Sequence, residues 1–209
     1  ADLSEAAMAR VAELVRHLRY DLCVLTGDYR GQTWGPYKTS LDLMEPVCAA
    51  LTGPVYGVLG NHDTVLMVPR LEAMGVKMLL NEAAIVERDG QRIHLAGIDD
   101  AHFYRVDNIE KAAESIPNEE FSILVTHTPE IYRQAAHADF DLLLSGHTHG
   151  GQVKVRNPEK RILPKRRLSA GLHSRRGSHI YITRGIGTVV LPVRYQCPPE
   201  ISLLELRAG

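Results

Sequence analysis

The sequence predicts an α/β chain whose sheet system is mixed rather than purely parallel. Early in the chain, amphipathic helical stretches alternate with short apolar runs, a hairpin signature stands at Asp89-Gly90, and further apolar runs crowd the second half. With 209 residues and 44% hydrophobic content the chain can bury one good core, so a single domain over 1–209 is expected.

The elements follow in order. Leu3–Tyr20 places Met8, Val11, Val15 and Leu18 on one helical face, with Ser4 as N-cap and Leu3 against Met8 as a hydrophobic staple. Asp21–Asp28 is a short apolar run closed by Gly27-Asp28 and reads as a buried strand. Ser40–Gly53 is helical despite Pro46, and Pro54–Asp63 is strand-like. Arg70–Gly75 ends a helix on its C-cap glycine. Residues 84–100 alternate on both sides of Asp89-Gly90, as a hairpin requires. The apolar runs 121–130, 141–153, 179–187 and 200–207 supply the remaining strands.

Composition removes several classes. Lys+Arg 24 against Asp+Glu 25 leaves a net charge of −1, so no global basic field points to nucleic acid and no nucleic-acid module is expected. Cys23, Cys48 and Cys197 form no CxxC pair, which suits reduced thiols in a cytosol-like compartment. No run reaches the roughly 18 apolar residues that span a bilayer, and no signal peptide opens the sequence. A cytoplasmic location, peripheral to the membrane in one reading of the basic segment below, is expected.

The informative feature is where polar residues sit. Four apolar runs end in Gly-Asp (Asp28), Gly-Asn-His-Asp (Asn61, His62, Asp63), Thr-His (His127) and Gly-His-Thr-His (His147, His149). In open α/β sheets ligands collect outside the carboxyl ends of strands, so these four ends converge. Carboxylate, amide oxygen and imidazole together suit Mn, Fe, Zn or Co better than Ca. Any one of these turns alone would be ordinary, and Asn61-His62-Asp63 could merely cap a helix. Four in sequence, spaced 33, 66 and 20 residues from Asp28 to Asn61 to His127 to His147, read as one metal site.

These motifs resemble the calcineurin-like metallophosphoesterases. "TGD", "GNHD", a lone strand-end histidine and "GHTHGGQ" carry the resemblance, and "GIDDAH" with "RGIGTVVLPVRYQCPPEI" resembles the bacterial YkuE/YaeI-like branch. The resemblance implies two mixed β-sheets packed as a sandwich flanked by helices. It also implies a metal-dependent phosphoesterase that attacks its substrate with a hydroxide bridging two divalent transition-metal ions. By position, Asp28 would bridge the metals, Asn61, His127 and His147 would complete one site, and His149 would serve the other. His62 would face the leaving group as the catalytic acid, supported by Asp63. The family's opening Asp-x-His strand has no counterpart in this sequence, so the first strand is expected to be missing and the second site half built. Asp100-Ala101-His102 mimics the spelling but follows the hairpin; lining the substrate cleft is its subordinate reading.

Rival chemistries lack their residues. A metallo-β-lactamase-like site needs Asp-His directly after the histidine pair, where Gly150-Gly151-Gln152 stands. An acyl-transfer triad has no Gly-x-Ser-x-Gly elbow, and structural zinc would want clustered thiolates. The expected partner is a phosphate-ester substrate, lipid-linked or nucleotide. The segment 160–177, rich in Lys and Arg, reads either as a solvated loop or as a contact for an anionic membrane surface. A catalytically impaired metal-binding scaffold of the same fold is the alternative to an enzyme.

Overall fold

The computed structural model describes residues 3–154, 168–175 and 177–207. The first helix, α1 (Glu5–Arg16), starts where Ser4 accepts a hydrogen bond from the Ala7 N–H, and buries Met8, Ala12 and Val15. It packs on α2 (Lys38–Ala50), which runs through Pro46 and buries Leu41, Met44, Val47 and Cys48. Three short strands accompany them: β1 (Cys23–Leu25), β2 (Val55–Gly57) and, after helix α3 (Val68–Ala73), β3 (Val76–Met78). They pair in parallel in the order β1-β2-β3, so the smaller sheet is wholly parallel and not mixed.

The larger sheet is mixed. The predicted hairpin is β4 (Glu82–Arg88) and β5 (Gln91–Gly97), joined at Asp89-Gly90, both at positive φ. Helix α4 (Ile109–Ala113) leads to β6 (Ser122–Val125), and α5 (Tyr132–His137) to β7 (Leu142–Ser145). The order is β4-β5-β6-β7-β9-β8, with β8 (Gly171–Arg175) and β9 (Ser178–Ile182) forming a second hairpin at the far edge. That hairpin brings part of the basic segment into an edge strand; 160–167 and Arg176 lie outside the described residues. The run 200–207 forms no strand: Ile201, Leu203, Leu204 and Leu206 are exposed, and the segment pairs with no strand among the described residues. Alternation alone does not make a strand without a neighbouring ladder.

Side-chain alternation along the strands explains the layering. On β6 and β7, Ile123, Val125 and Leu142 join Tyr56, Val58, Leu79 and Leu95 in the core between the sheets. Their neighbours Leu124 and Leu143 point the other way, onto α4 and α5 through Ile109, Ala112 and Ala135. On the opposite side, Val55, Val76 and Met78 face the core under α1, α2 and α3. The order of layers is therefore helix, sheet, sheet, helix. Among the described residues, no helix is long and apolar enough to cross a membrane.

Candidate metal centre

The loops after β1, β2, β6 and β7 carry the predicted residues, and the parallel pairing of those strands within each sheet puts the loops at one end of the sandwich. Two glycines let the first pair of loops touch. A Cβ on Gly60 would stand 2.3 Å from Asp28 Oδ1, and one on Gly27, at φ +84°, would stand 2.6 Å from the Gly60 nitrogen. This crossing brings Asp28 under the Asn61-His62-Asp63 turn. There the Asp63 carboxylate, almost fully buried, accepts the N–H groups of Asp28 (2.7 Å), Tyr29 (2.9 Å) and Gly60 (2.8 Å). Asp63 thus ties the two loops together and holds the Asp28 backbone in place.

Four donor groups meet at His127 Nε2. Asp28 Oδ2 lies 3.1 Å from it, Asn61 Oδ1 3.0 Å and His147 Nδ1 3.0 Å. The other ring nitrogen of His127 donates to the Thr26 carbonyl at 2.7 Å, which turns Nε2 into the cluster. One hydrogen on Nε2 can satisfy only one of three heteroatoms. A divalent cation, taking a lone pair from each of the four groups, fits the set. Donor atoms of Asp28, His127 and His147 all lie within 4.8 Å of one another. His149 is two residues further on. Its Nδ1 faces the Gly187 carbonyl at 3.3 Å, and it does not join the cluster. Asp28, His147 and His149 all sit at positive φ (59°, 64° and 48°), a costly backbone state for residues with side chains.

Electrostatics agrees with the geometry. Burial alone would raise the Asp28 carboxyl, but the bond to His127 and its charge outweigh that and hold it below the usual range. Burial would lower His127, and the same partnership with Asp28 raises it. Burial, reinforced by the Asp28 charge, pushes Asp63 up to about 7 against the backbone N–H groups it accepts. His149 is lowered, chiefly by burial, which favours the neutral imidazole that ligation requires. A cation at the cluster would relieve the repulsion between Asp28 and Asp63.

Residues 2–151 match the sequence profile described as calcineurin-like phosphoesterase. The chain belongs to the calcineurin-like phosphoesterase family. Phosphodiesterase YaeI of Escherichia coli (strain K12) is 29% identical over 196 residues, covering 89% of this chain and 70% of that protein. The metallophosphoesterase YkuE of Bacillus subtilis (strain 168) is 29% identical over 198 residues, covering 90% and 68%. Among solved structures, the NAD nucleotidase NadN of Haemophilus influenzae superposes with a TM-score of 0.51 at 17% identity, covering 87% of this chain and 43% of that one. The sulfate thiohydrolase SoxB of Thermus thermophilus gives 0.54 at 12% identity, covering 85% and 37%. At those identities the two structures share the fold, and this chain spans less than half of each. As a calcineurin-like phosphoesterase the chain is a metal-dependent hydrolase of phosphoesters.

Several residues that build this phosphoesterase site carried no legible signal. Arg30 is buried, and its guanidinium donates to the carbonyls of His62, Thr33 and Gly35, fastening the loop after β1 over the turn after β2. Thr33 Oγ1 meets His62 Nδ1 at 2.8 Å, and the His62 N–H donates to Asp28 Oδ1 at 3.0 Å. Arg194 donates to the carbonyls of His149 (3.1 Å), Arg184 (2.8 Å) and Gly187 (2.9 Å through Nε). Gln152 holds Val189 and Leu191 by their backbones, so the second histidine's loop is clamped on both sides. The His102 ring centroid lies 4.6 Å from that of His147, with Nδ1 3.1 Å from Glu130. In sequence, Arg30 and Arg194 look like loop cations; only the carbonyls they meet reveal their work.

Proposed function

We propose that the chain hydrolyses phosphodiester, phosphomonoester or pyrophosphate bonds at the cluster of Asp28, Asn61, His127 and His147, with His62 as proton donor to the leaving group. The observation that carries this reading is the convergence of three heteroatoms within 3.1 Å of His127 Nε2. A divalent transition metal held there would supply positive charge for the phosphate oxygens and acidify water. Asp28 and Asn61 contribute oxygen donors, His127 and His147 nitrogen donors, and His149 is proposed for a second ion shared through Asp28. His62 is held by its backbone to Asp28 and by its ring to Thr33, leaving Nε2 free of the cluster to deliver a proton to a departing alkoxide. The basic segment is proposed as the contact for an anionic membrane surface.

The test is hydrolysis of bis(nitrophenyl) phosphate by metal-loaded protein beside its Asp28→Asn variant. Turnover lost together with bound metal supports the reading. Metal uptake with no turnover on diesters, monoesters or pyrophosphates would favour the impaired scaffold.

A further inference from the structure

A rim of exposed aromatic side chains stands between His62 and His147. From the His62 side, Thr33 touches the His62 ring and is followed by Trp34, whose indole is 75% exposed. The Trp34 and Phe103 rings pack edge to face at 6.5 Å, and Phe103 packs against Tyr104 at 4.9 Å. Phe103 is 50% exposed and Tyr104 41%. His102, next to Phe103, reaches the His147 ring at 4.6 Å and closes the arc.

These rings are held in water by a built loop. The buried Asp100 carboxylate accepts the N–H groups of His102 (3.2 Å), Phe103 (2.6 Å) and Tyr104 (2.6 Å). Asn81 Oδ1 accepts from Asp99 (3.2 Å) and Asn108 (2.8 Å), while its amide donates to the Val106 carbonyl at 2.9 Å. So fastened, the loop cannot fold its apolar side chains away, and large exposed apolar groups beside a polar site mark a binding surface.

We infer that Trp34, Phe103 and Tyr104 form a subsite for an aliphatic leaving group, so that the substrate is a phosphoester of a long-chain alcohol or similar lipid. This rests on the phosphoesterase reading above and narrows its substrate. Three features favour an alkyl chain over a nucleobase. The rings meet at 77° and 90° and offer no pair of parallel faces between which a base could slot. Val106, half exposed, is tied by its backbone N–H to the Asp100 carbonyl and adds an aliphatic side chain to the same loop. The rim also begins at His62, the side from which a leaving group would depart. Asp100 and Asn81 act as positioning residues for this surface.

Trp34 is the chain's one tryptophan, so its emission reports on the rim directly. The experiment titrates zinc-loaded protein with methyl-, butyl- and octylphosphonate, which cannot be hydrolysed, and with octanol and adenosine monophosphate for comparison. Octylphosphonate is expected to shift Trp34 emission to the blue and to bind more tightly than methylphosphonate, by at most about fourfold for each methylene fully buried. Phe103→Ala, and Phe103→Leu should the first fold poorly, is expected to cut the octyl-to-methyl affinity ratio about tenfold. Equal affinity for methyl- and octylphosphonate, no shift of Trp34 emission with octylphosphonate, or tighter binding of adenosine monophosphate would each overturn the inference. Chain-length-dependent binding without any hydrolysis of the corresponding esters would instead defeat the phosphoesterase reading and leave the rim standing.

Discussion

Asp28 is the residue on which the site turns, because one carboxyl group meets His127 through Oδ2 and the His62 backbone through Oδ1. Without a cation, His127 and Asp28 form an ion pair in which the imidazole is raised above its ordinary 6.5. A raised histidine stabilises the fold below its unfolded pKa, and that contribution fades as pH climbs through the folded value. The same proton must leave before His127 can ligate. Metal uptake near neutral pH should therefore release protons, and metal affinity should fall as the solution is acidified. Calorimetric titration in buffers of different ionisation enthalpy measures this; identical heats at pH 7 would contradict it. His62 predicts a different pattern, since its ring contacts Thr33 and not the cluster. His62→Ala should keep the metal and lose about 10²–10⁴-fold in turnover. The loss should be larger for alkyl than for nitrophenyl leaving groups, and equal losses would remove its acid role.

At the scale of elements, strands of only three or four residues end in loops that do the chemistry, so the sheets must approach closely and in fixed register. A Cβ on Gly97 of β5 would stand 2.3 Å from Leu79 Cβ, where the two sheets meet. Gly97→Ala should cost about 1–3 kcal/mol by overpacking, read from the urea midpoint. An unshifted midpoint would show that the sheets can separate freely there. This contact also shows what sequence could and could not reveal. Helix α1 with its Ser4 cap, the hairpin at Asp89-Gly90 and the strand-end polar residues were legible because capping, turn chemistry and burial are local in sequence. Asn61, His127 and His147 were legible through spacing and the family's motifs. The edge strand β8 was not, because Gly171–Arg175 carries no alternating apolar pattern and gains its ladder only from β9. Residues 200–207 show the reverse, an alternating run with no ladder beside it. Arg30 and Arg194 stayed hidden because their partners are backbone carbonyls, which every residue carries and no sequence pattern marks.

Across the whole molecule, four layers place a metal cluster at one end and an aromatic rim beside it, and the sequence carries a Lys/Arg-rich stretch at 160–177. If that stretch contacts an anionic surface, replacing Arg166, Arg167, Arg175 and Arg176 with Gln should weaken binding to phosphatidylserine vesicles at low salt and spare hydrolysis of a small soluble ester. Unchanged vesicle binding would return it to a solvated loop. The central claim is that strand-end residues assemble a metal site that four donors complete and His149 does not join. Elemental analysis after extensive dialysis, on the wild-type chain and on Asp28→Asn, tests it most directly. The account predicts about one transition-metal ion per chain, lost in the variant, because two donors shared at Asp28 and His149 hold a second ion weakly against the charge of the first. Metal retained equally by Asp28→Asn, or two ions held tightly by the wild-type chain, would contradict it.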